Sequence, residues 1–229
     1  EDLIASSSLV QVPNPFVDVT SQRGINFHHF TGRTGKRFIV EIMGSGVGLL
    51  DHDLDGDYDL YLVNGTQLPG TPETPNQPQN YFYANDGRGY FADITSNAGL
   101  GDKGYGMGIA VGDIENDGDP DLYLSNYGPD RLFRNRGDGT FEDNTEQAQI
   151  NQPKWSTSST FFDYDLDGDL DLYVTNYVDF HPENFEPCSR AGQEVYCGPQ
   201  EYAGLCDHLM LNNGEGLFEE VSKELGIKD

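Results

Sequence analysis

The sequence predicts an all-β protein of β-propeller-type blades, each of four short antiparallel strands. Three blades are recognisable, and the ring is expected to be incomplete or completed in trans. Three observations carry this reading. One acidic loop is written three times, β-rich runs follow each loop at matching offsets, and the repeat length is that of a propeller blade.

The loops read Asp51-His-Asp53-Leu-Asp55-Gly56-Asp57-Tyr-Asp59, Asp113-Ile-Glu115-Asn-Asp117-Gly118-Asp119-Pro-Asp121 and Asp163-Tyr-Asp165-Leu-Asp167-Gly168-Asp169-Leu-Asp171. Carboxylates at positions 1, 3, 5 and 9 suit a hard cation. Calcium takes about 6–8 oxygen ligands, whereas magnesium prefers few protein ligands and several waters. Glycine at position 6 permits the sharp reversal, since it accepts positive φ. Position 7 (Asp57, Asp119, Asp169) is expected to give its backbone carbonyl rather than its side chain. A helix-loop-helix calcium hand needs Glu at position 12; here Leu62, Leu124 and Val174 stand there. Three Ca2+ sites are therefore expected, the second distorted or weakened by Glu115, one methylene longer than aspartate. The alternative is a solvated acidic turn, which mutual repulsion of five acids disfavours.

The other elements follow in order. An apolar run precedes each loop (46–50, 108–112, 160–162) and reads as a first strand. A second strand follows each loop (59–64, 121–126, 171–176), each ending in Asn. Third strands are expected at 81–85, 132–135 and 209–212, and fourth strands at 91–95, 141–145 and 218–222, with Gly-rich turns between. Loop starts at 51, 113 and 163 lie 62 and 50 residues apart. Insertions at 65–80 and 178–207 account for the unequal spacing. The units are then about 38–100, 101–150 and 151–229 within one domain at 16–229, preceded by an arm or tail at 1–15. A lone blade cannot bury both faces, so neighbours stack; Val47, Leu49, Ile109, Val111 and Phe161 are expected to line the inner region.

Composition narrows the function. Asp plus Glu number 39 against 13 Lys plus Arg, a formal net charge of −26. Fifteen of those acids, five per loop, sit in the loops, and three calcium ions would offset six charges. The remaining balance argues against nucleic acid and anionic membrane surfaces. No run of about 20 apolar residues could span a bilayer, and residues 1–8 lack the basic and apolar regions of a leader. Weak calcium loops suit an extracellular setting. Cys188, Cys197 and Cys206 leave three readings open: a local Cys188–Cys197 disulfide, a zinc site with His208, or three free thiols. Asn64-Gly65-Thr66 is an N-glycosylation sequon. His28 and His29 read as strand residues, and Trp155 as packing.

These blades resemble FG-GAP/VCBS repeats, the calcium-loop blades of integrin α-subunit propellers and many bacterial surface proteins. The resemblance covers nearly the whole chain and is closest to the cartilage acidic protein group and its bacterial relatives. Its marks are Phe16-x-Asp18-x-Thr20 with Gly24-Ile-Asn-Phe-His28, Glu41-x-Met43-Gly-Ser-Gly46, Asp59-Leu-Tyr-Leu-Val-Asn64-Gly, and the Cys188/Cys197 insertion before Asp207. It implies a secreted, calcium-binding, non-enzymatic protein of adhesion, matrix or surface assembly.

Residues 16–20 form a fourth copy of the fourth-strand motif, ahead of any loop. Either further blades or other copies of the chain are expected to complete the ring, with residues 1–20 docking by strand addition and a non-closing contact giving a filament. The alternative for residues 1–15 is a disordered tail. Three functions compete: a structural or adhesive module, a glycan- or matrix-binding head, and a polysaccharide-acting enzyme. The last is disfavoured because the clustered acids follow the repeat, where a catalytic site would break it.

Overall fold

The computed structural model describes residues 16–150 and 153–227. Blade 1 is a separate four-stranded sheet: β1 (Val47–Leu50), β2 (Asp59–Leu62), β3 (Tyr81–Asn85) and β4 (Phe91–Asp93), paired in sequence order. A single helical turn, α1 (Thr95–Ala98), follows. Blade 2 holds β5 (Tyr105–Gly112), β6 (Asp121–Pro129), β7 (Arg131–Asn135) and β8 (Phe141–Asp143). Blade 3 holds β9 (Pro153–Phe162), β10 (Asp171–Asn176), β13 (His208–Asn212) and β14 (Phe218–Glu220), with a hairpin, β11 (Cys188–Arg190) and β12 (Gln193–Val195), in its insertion. Blades 2 and 3 are one continuous sheet, because the end of β6 pairs with the start of β9: Tyr127 with Trp155, Gly128 with Lys154, Pro129 with Pro153.

Blades 1 and 2 close by the same side-chain stitch, and blade 3 keeps its hydroxyl half. The Asp93 carboxylate accepts the N–H and Oγ–H of Thr95, at 3.0 and 2.6 Å. The Thr95 hydroxyl then accepts the N–H of Phe82 on the third strand. Asp143, Thr145 and Leu132 repeat this in blade 2, and Ser222 accepts from Leu209 in blade 3. Asp18 likewise accepts the Thr20 N–H at 3.0 Å. Residues 16–19 enter no strand ladder among the described residues. Residues 1–15 lie outside the described residues.

Two apolar cores lie between the blades. One gathers Leu50, Tyr61 and Phe82 of blade 1 against Leu122, Leu124 and Phe141 of blade 2. The other sets Ile114, Tyr123 and Leu132 against Leu172, Val174 and Met210. Each large side chain so buried contributes roughly 1.5–3 kcal/mol. The inner strands approach closely: a Cβ on Gly46 would lie 3.0 Å from the Gly108 Cα, and one on Gly108 would lie 2.8 Å from the Thr157 carbonyl. Ile109, Val111 and Phe161 pack against these cores. Val47 and Leu49 do not; they are 61 % and 59 % exposed, because they face away from blade 2 and no blade covers that side among the described residues.

Since β1 and β2 are antiparallel, the loop joining them and the insertion after β2 leave opposite ends of the blade. The acidic loops therefore share one face and the insertions the other. A third core forms under the insertions from Phe38, Ile39, Val40, Leu68, Trp155 and Phe180. There the segment before blade 1 meets the hairpin of blade 3: Arg37 pairs with Glu194 at 2.5 Å, and the Tyr196 hydroxyl donates to Glu41 at 3.2 Å.

Candidate metal centres

The three loops fold alike because the same backbone donors meet the same acids. Asp51 at position 1 accepts the N–H groups of Asp55 and Gly56, each at 3.0 Å. Asp113 accepts those of Asp117 and Gly118, and Asp163 accepts that of Gly168. Position 5 accepts the N–H of position 7 in every loop, from Asp57, Asp119 and Asp169. Glycine at position 6 has φ of +93°, +95° and +99°. Position 4 is also left-handed: Leu54, Asn116 and Leu166 have φ of 56°, 55° and 65°.

Position 9 has a structural duty that the ligand pattern alone did not reveal. One oxygen accepts the N–H of position 2 (His52, Ile114, Tyr164), and the other accepts the N–H of the third-strand asparagine (Asn85, Asn135, Asn212). Asp59, Asp121 and Asp171 are thus buried clamps between loop, second strand and third strand. Each clamp oxygen keeps a second lone pair for a cation, except Asp59 Oδ2, which also meets His52 Nδ1.

Ligand atoms converge in all three loops. Asp113, Glu115 and Asp121 each bring an atom within 4.8 Å of the others, as do Asp163, Asp165 and Asp171. In the first loop Asp51, Asp53 and Asp55 converge, and His52, Asp53 and Asp59 form an overlapping group. Asp117 and Asp167 stand outside these groups and serve the turns. The side chains of Asp57, Asp119 and Asp169 face the glycines of the next turn (Gly87, Gly137, Gly214).

The fit to a hard divalent cation rests on three features. The second and third sets are all oxygen. Asp163 Oδ1 and both Glu115 carboxylate oxygens are buried without a hydrogen-bond donor. The acids also raise one another's pKa. Desolvation, then Asp55, Asp59, Asp53 and Asp51, push Asp57 up; desolvation, then Asp167, push Asp165 up. Burial, against the pull of Arg134, raises Glu115, and burial raises its neighbour Asp121. A bound cation would supply the missing positive charge.

His52 distinguishes the first loop. It is buried, its Nδ1 lies 2.5 Å from Asp59 Oδ2, and its ring meets Phe82 edge-on. Burial opposes charging both partners, yet their hydrogen bond prevails: His52 is raised and Asp59 lowered. Position 2 is Ile or Tyr elsewhere, so the repeat gave no signal for it.

The remaining expectations resolve separately. Cys188 and Cys197 are disulfide-bonded and Cys206 is a free, exposed thiol, which removes the zinc and three-thiol readings. Asn64 is corrected as a sugar acceptor: it is 3 % exposed, and its Nδ2 donates to the Gln79 carbonyl. His28 and His29 lie in a loop, not in a strand. Trp155 is buried, with its ring edge-on to Tyr127 and Tyr177.

The family model of the FG-GAP-like repeat matches residues 51–124 and again 113–174. Cartilage acidic protein 1 of Xenopus tropicalis is 36 % identical over 74 residues, which are 31 % of this chain and 11 % of that protein. A solved Agrocybe aegerita lectin, described for its specific recognition of non-reducing terminal N-acetylglucosamine, aligns at a TM-score of 0.36 and 16 % identity, over 76 % of this chain and 36 % of its own. The chain therefore spans only a minor part of either relative. The two family matches together cover residues 51–174, more than half of 229, and each begins at the first aspartate of an acidic loop: the chain belongs to the FG-GAP-like repeat family.

Proposed function

We propose that this chain is a calcium-stabilised, non-enzymatic structural or adhesive module that works outside the cell. The observation that carries this is the convergence of ligand groups in all three loops, with buried oxygens that lack donors in the second and third. Asp51, Asp53, Asp55 and Asp59 would hold one ion, Asp113, Glu115 and Asp121 a second, and Asp163, Asp165 and Asp171 a third. The ion supplies charge neutralisation; the chain supplies loops already shaped by backbone donors. The disulfide suits an oxidising compartment, and no helix among the described residues is long and apolar enough to cross a membrane. Equilibrium calcium titration of the chain tests the reading, and no binding at millimolar free calcium overturns it.

Association with further blades or copies is part of the proposal. Val47 and Leu49 offer an apolar face on blade 1. All three described blades already have four strands, so residues 16–20 of another copy would add to an outer edge rather than replace a missing strand. Electron microscopy in calcium distinguishes filaments from single particles.

A ligand-binding head is the second reading, and one observation favours it. On the insertion face a cavity of about 230 Å³ is lined by Tyr127, Lys154, Trp155, Asp179, Phe180 and His181, and the indole N–H of Trp155 is buried without an acceptor. Trp155 is the only tryptophan in the chain. A glycan screen read by its fluorescence tests this role.

A further inference from the structure

We propose that Arg134 is a resident counter-ion of the second loop and makes it the weakest calcium site of the three, so that the loops fill in two stages. The inference rests on the calcium reading above and concerns how this chain grades its sites.

The residue just before the third-strand asparagine is Ala84 in blade 1, Arg134 in blade 2 and Leu211 in blade 3. Only blade 2 places a cation there. Arg134 Nε lies 2.6 Å from Glu115 Oε1, and Nη2 lies 3.7 Å from Asp117 Oδ2, so one guanidinium reaches positions 3 and 5 of the same loop. The two unusual residues belong together: the other loops have Asp53 and Asp165 at position 3, a methylene shorter. The Glu115 side chain is only 7 % exposed.

The contact is electrostatic more than directional. Despite the 2.6 Å approach, neither Glu115 oxygen receives a well-aligned hydrogen bond, so both keep lone pairs for an incoming ion. The site is thus competent but already partly neutralised. A guanidinium stays charged at any working pH. An arriving divalent ion must displace it or bind beside it, against like charge. At surface dielectric that repulsion is expected to weaken affinity about ten- to thirtyfold relative to a loop with no basic neighbour. Loop 3 has no such ion pair among the described residues; in loop 1 the basic neighbour is His52, beside Asp53 and Asp59, whose imidazole, unlike a guanidinium, can release its proton as an ion arrives.

Calcium titration calorimetry of the full chain, paired with terbium luminescence, tests this. The wild-type chain should show one binding class about ten- to thirtyfold weaker than the rest. Arg134→Leu, which installs the blade 3 residue, should tighten that class by the same factor and leave the others unchanged. Arg134→Lys, which keeps the charge, should leave it weak. Should Arg134→Leu fold poorly, Glu115→Asp provides a second route: drawing the acid back from the guanidinium should also tighten the weak class. Equal affinities in the wild-type chain, or a weakest step unmoved by the charge-removing variant, overturn the proposal. Absence of any calcium binding instead overturns the calcium reading itself.

Discussion

Asn212 reaches across a blade boundary to the loop of its neighbour: its Nδ2 donates to the Ile114 carbonyl at 2.7 Å. Asn135 does the same to His52 at 3.0 Å. Each also bonds its own blade, through the Leu170 and Pro120 carbonyls. Asn85 bonds Tyr58 within blade 1 and meets no neighbouring loop among the described residues. Asn135→Ala and Asn212→Ala should therefore each cost about 1–3 kcal/mol, since a buried carbonyl loses its donor. Asn85→Ala should cost measurably less. Urea denaturation of the three variants checks the ranking.

Calcium removal should destabilise the whole array. A site at a hundredfold excess of ligand over Kd contributes about 2.7 kcal/mol. For a chain of this size each kcal/mol moves Tm by about 2–4 °C. Calorimetry with and without chelator should show a fall of several degrees per occupied loop. Asp163→Asn should remove one increment and leave a smaller response to the chelator.

Asp130 should give the protein a stability that declines toward alkaline pH. It is fully buried, accepting the Tyr123 hydroxyl at 2.6 Å, the Ser156 hydroxyl at 2.7 Å and the Asn126 N–H. Burial pushes its pKa up to about 7 from the usual 3.8. The folded state thus holds a proton that the unfolded chain releases. That stabilising contribution is full below about pH 4 and is lost as pH rises through 7. Asp130→Asn should flatten the slope between pH 5 and 8, with an effect on the order of 1–3 kcal/mol at pH 8. Urea midpoints across that range, in saturating calcium to hold the loop acids ionised, check it.

Leu166 should be a favourable site for substitution. It sits at φ 65° and is 85 % exposed, so it bears left-handed strain with little burial in return. Asn116 occupies the equivalent position and donates to Asp169 at 2.8 Å. Leu166→Asn should stabilise by about 1 kcal/mol. A higher Tm with unchanged calcium stoichiometry is the expected result.

The acidic loops were legible because ligand chemistry fixes both residue type and spacing, and the strands because Asp-Leu-Tyr runs recur after each loop. What escaped was set by neighbours. Val47 and Leu49 have an inward pattern, but their exposure depends on whether another blade stands beside them. Asn64 matches a sequon, which reads covalent chemistry and is blind to burial. Arg134 meets Glu115 only through strand register, 19 positions away in the chain. The left-handed position 4 was hidden because two of its three residues are leucine, a poor reporter of that conformation. Residues 16–20 carry the fourth-strand pattern but enter no sheet among the described residues, because ladder pairing depends on a neighbour as well as on the pattern.

The ladder that joins β6 to β9 gives the molecule unequal mechanical seams. Tyr127 to Pro129 and Pro153 to Trp155 bind blades 2 and 3 through shared backbone pairing. The seam between blades 1 and 2 has isolated backbone bonds instead, such as Gly106 N–H to the Asn64 carbonyl at 2.9 Å. Pulled from its two ends, the chain should surrender blade 1 first as a unit, and yield blades 2 and 3 together at higher force.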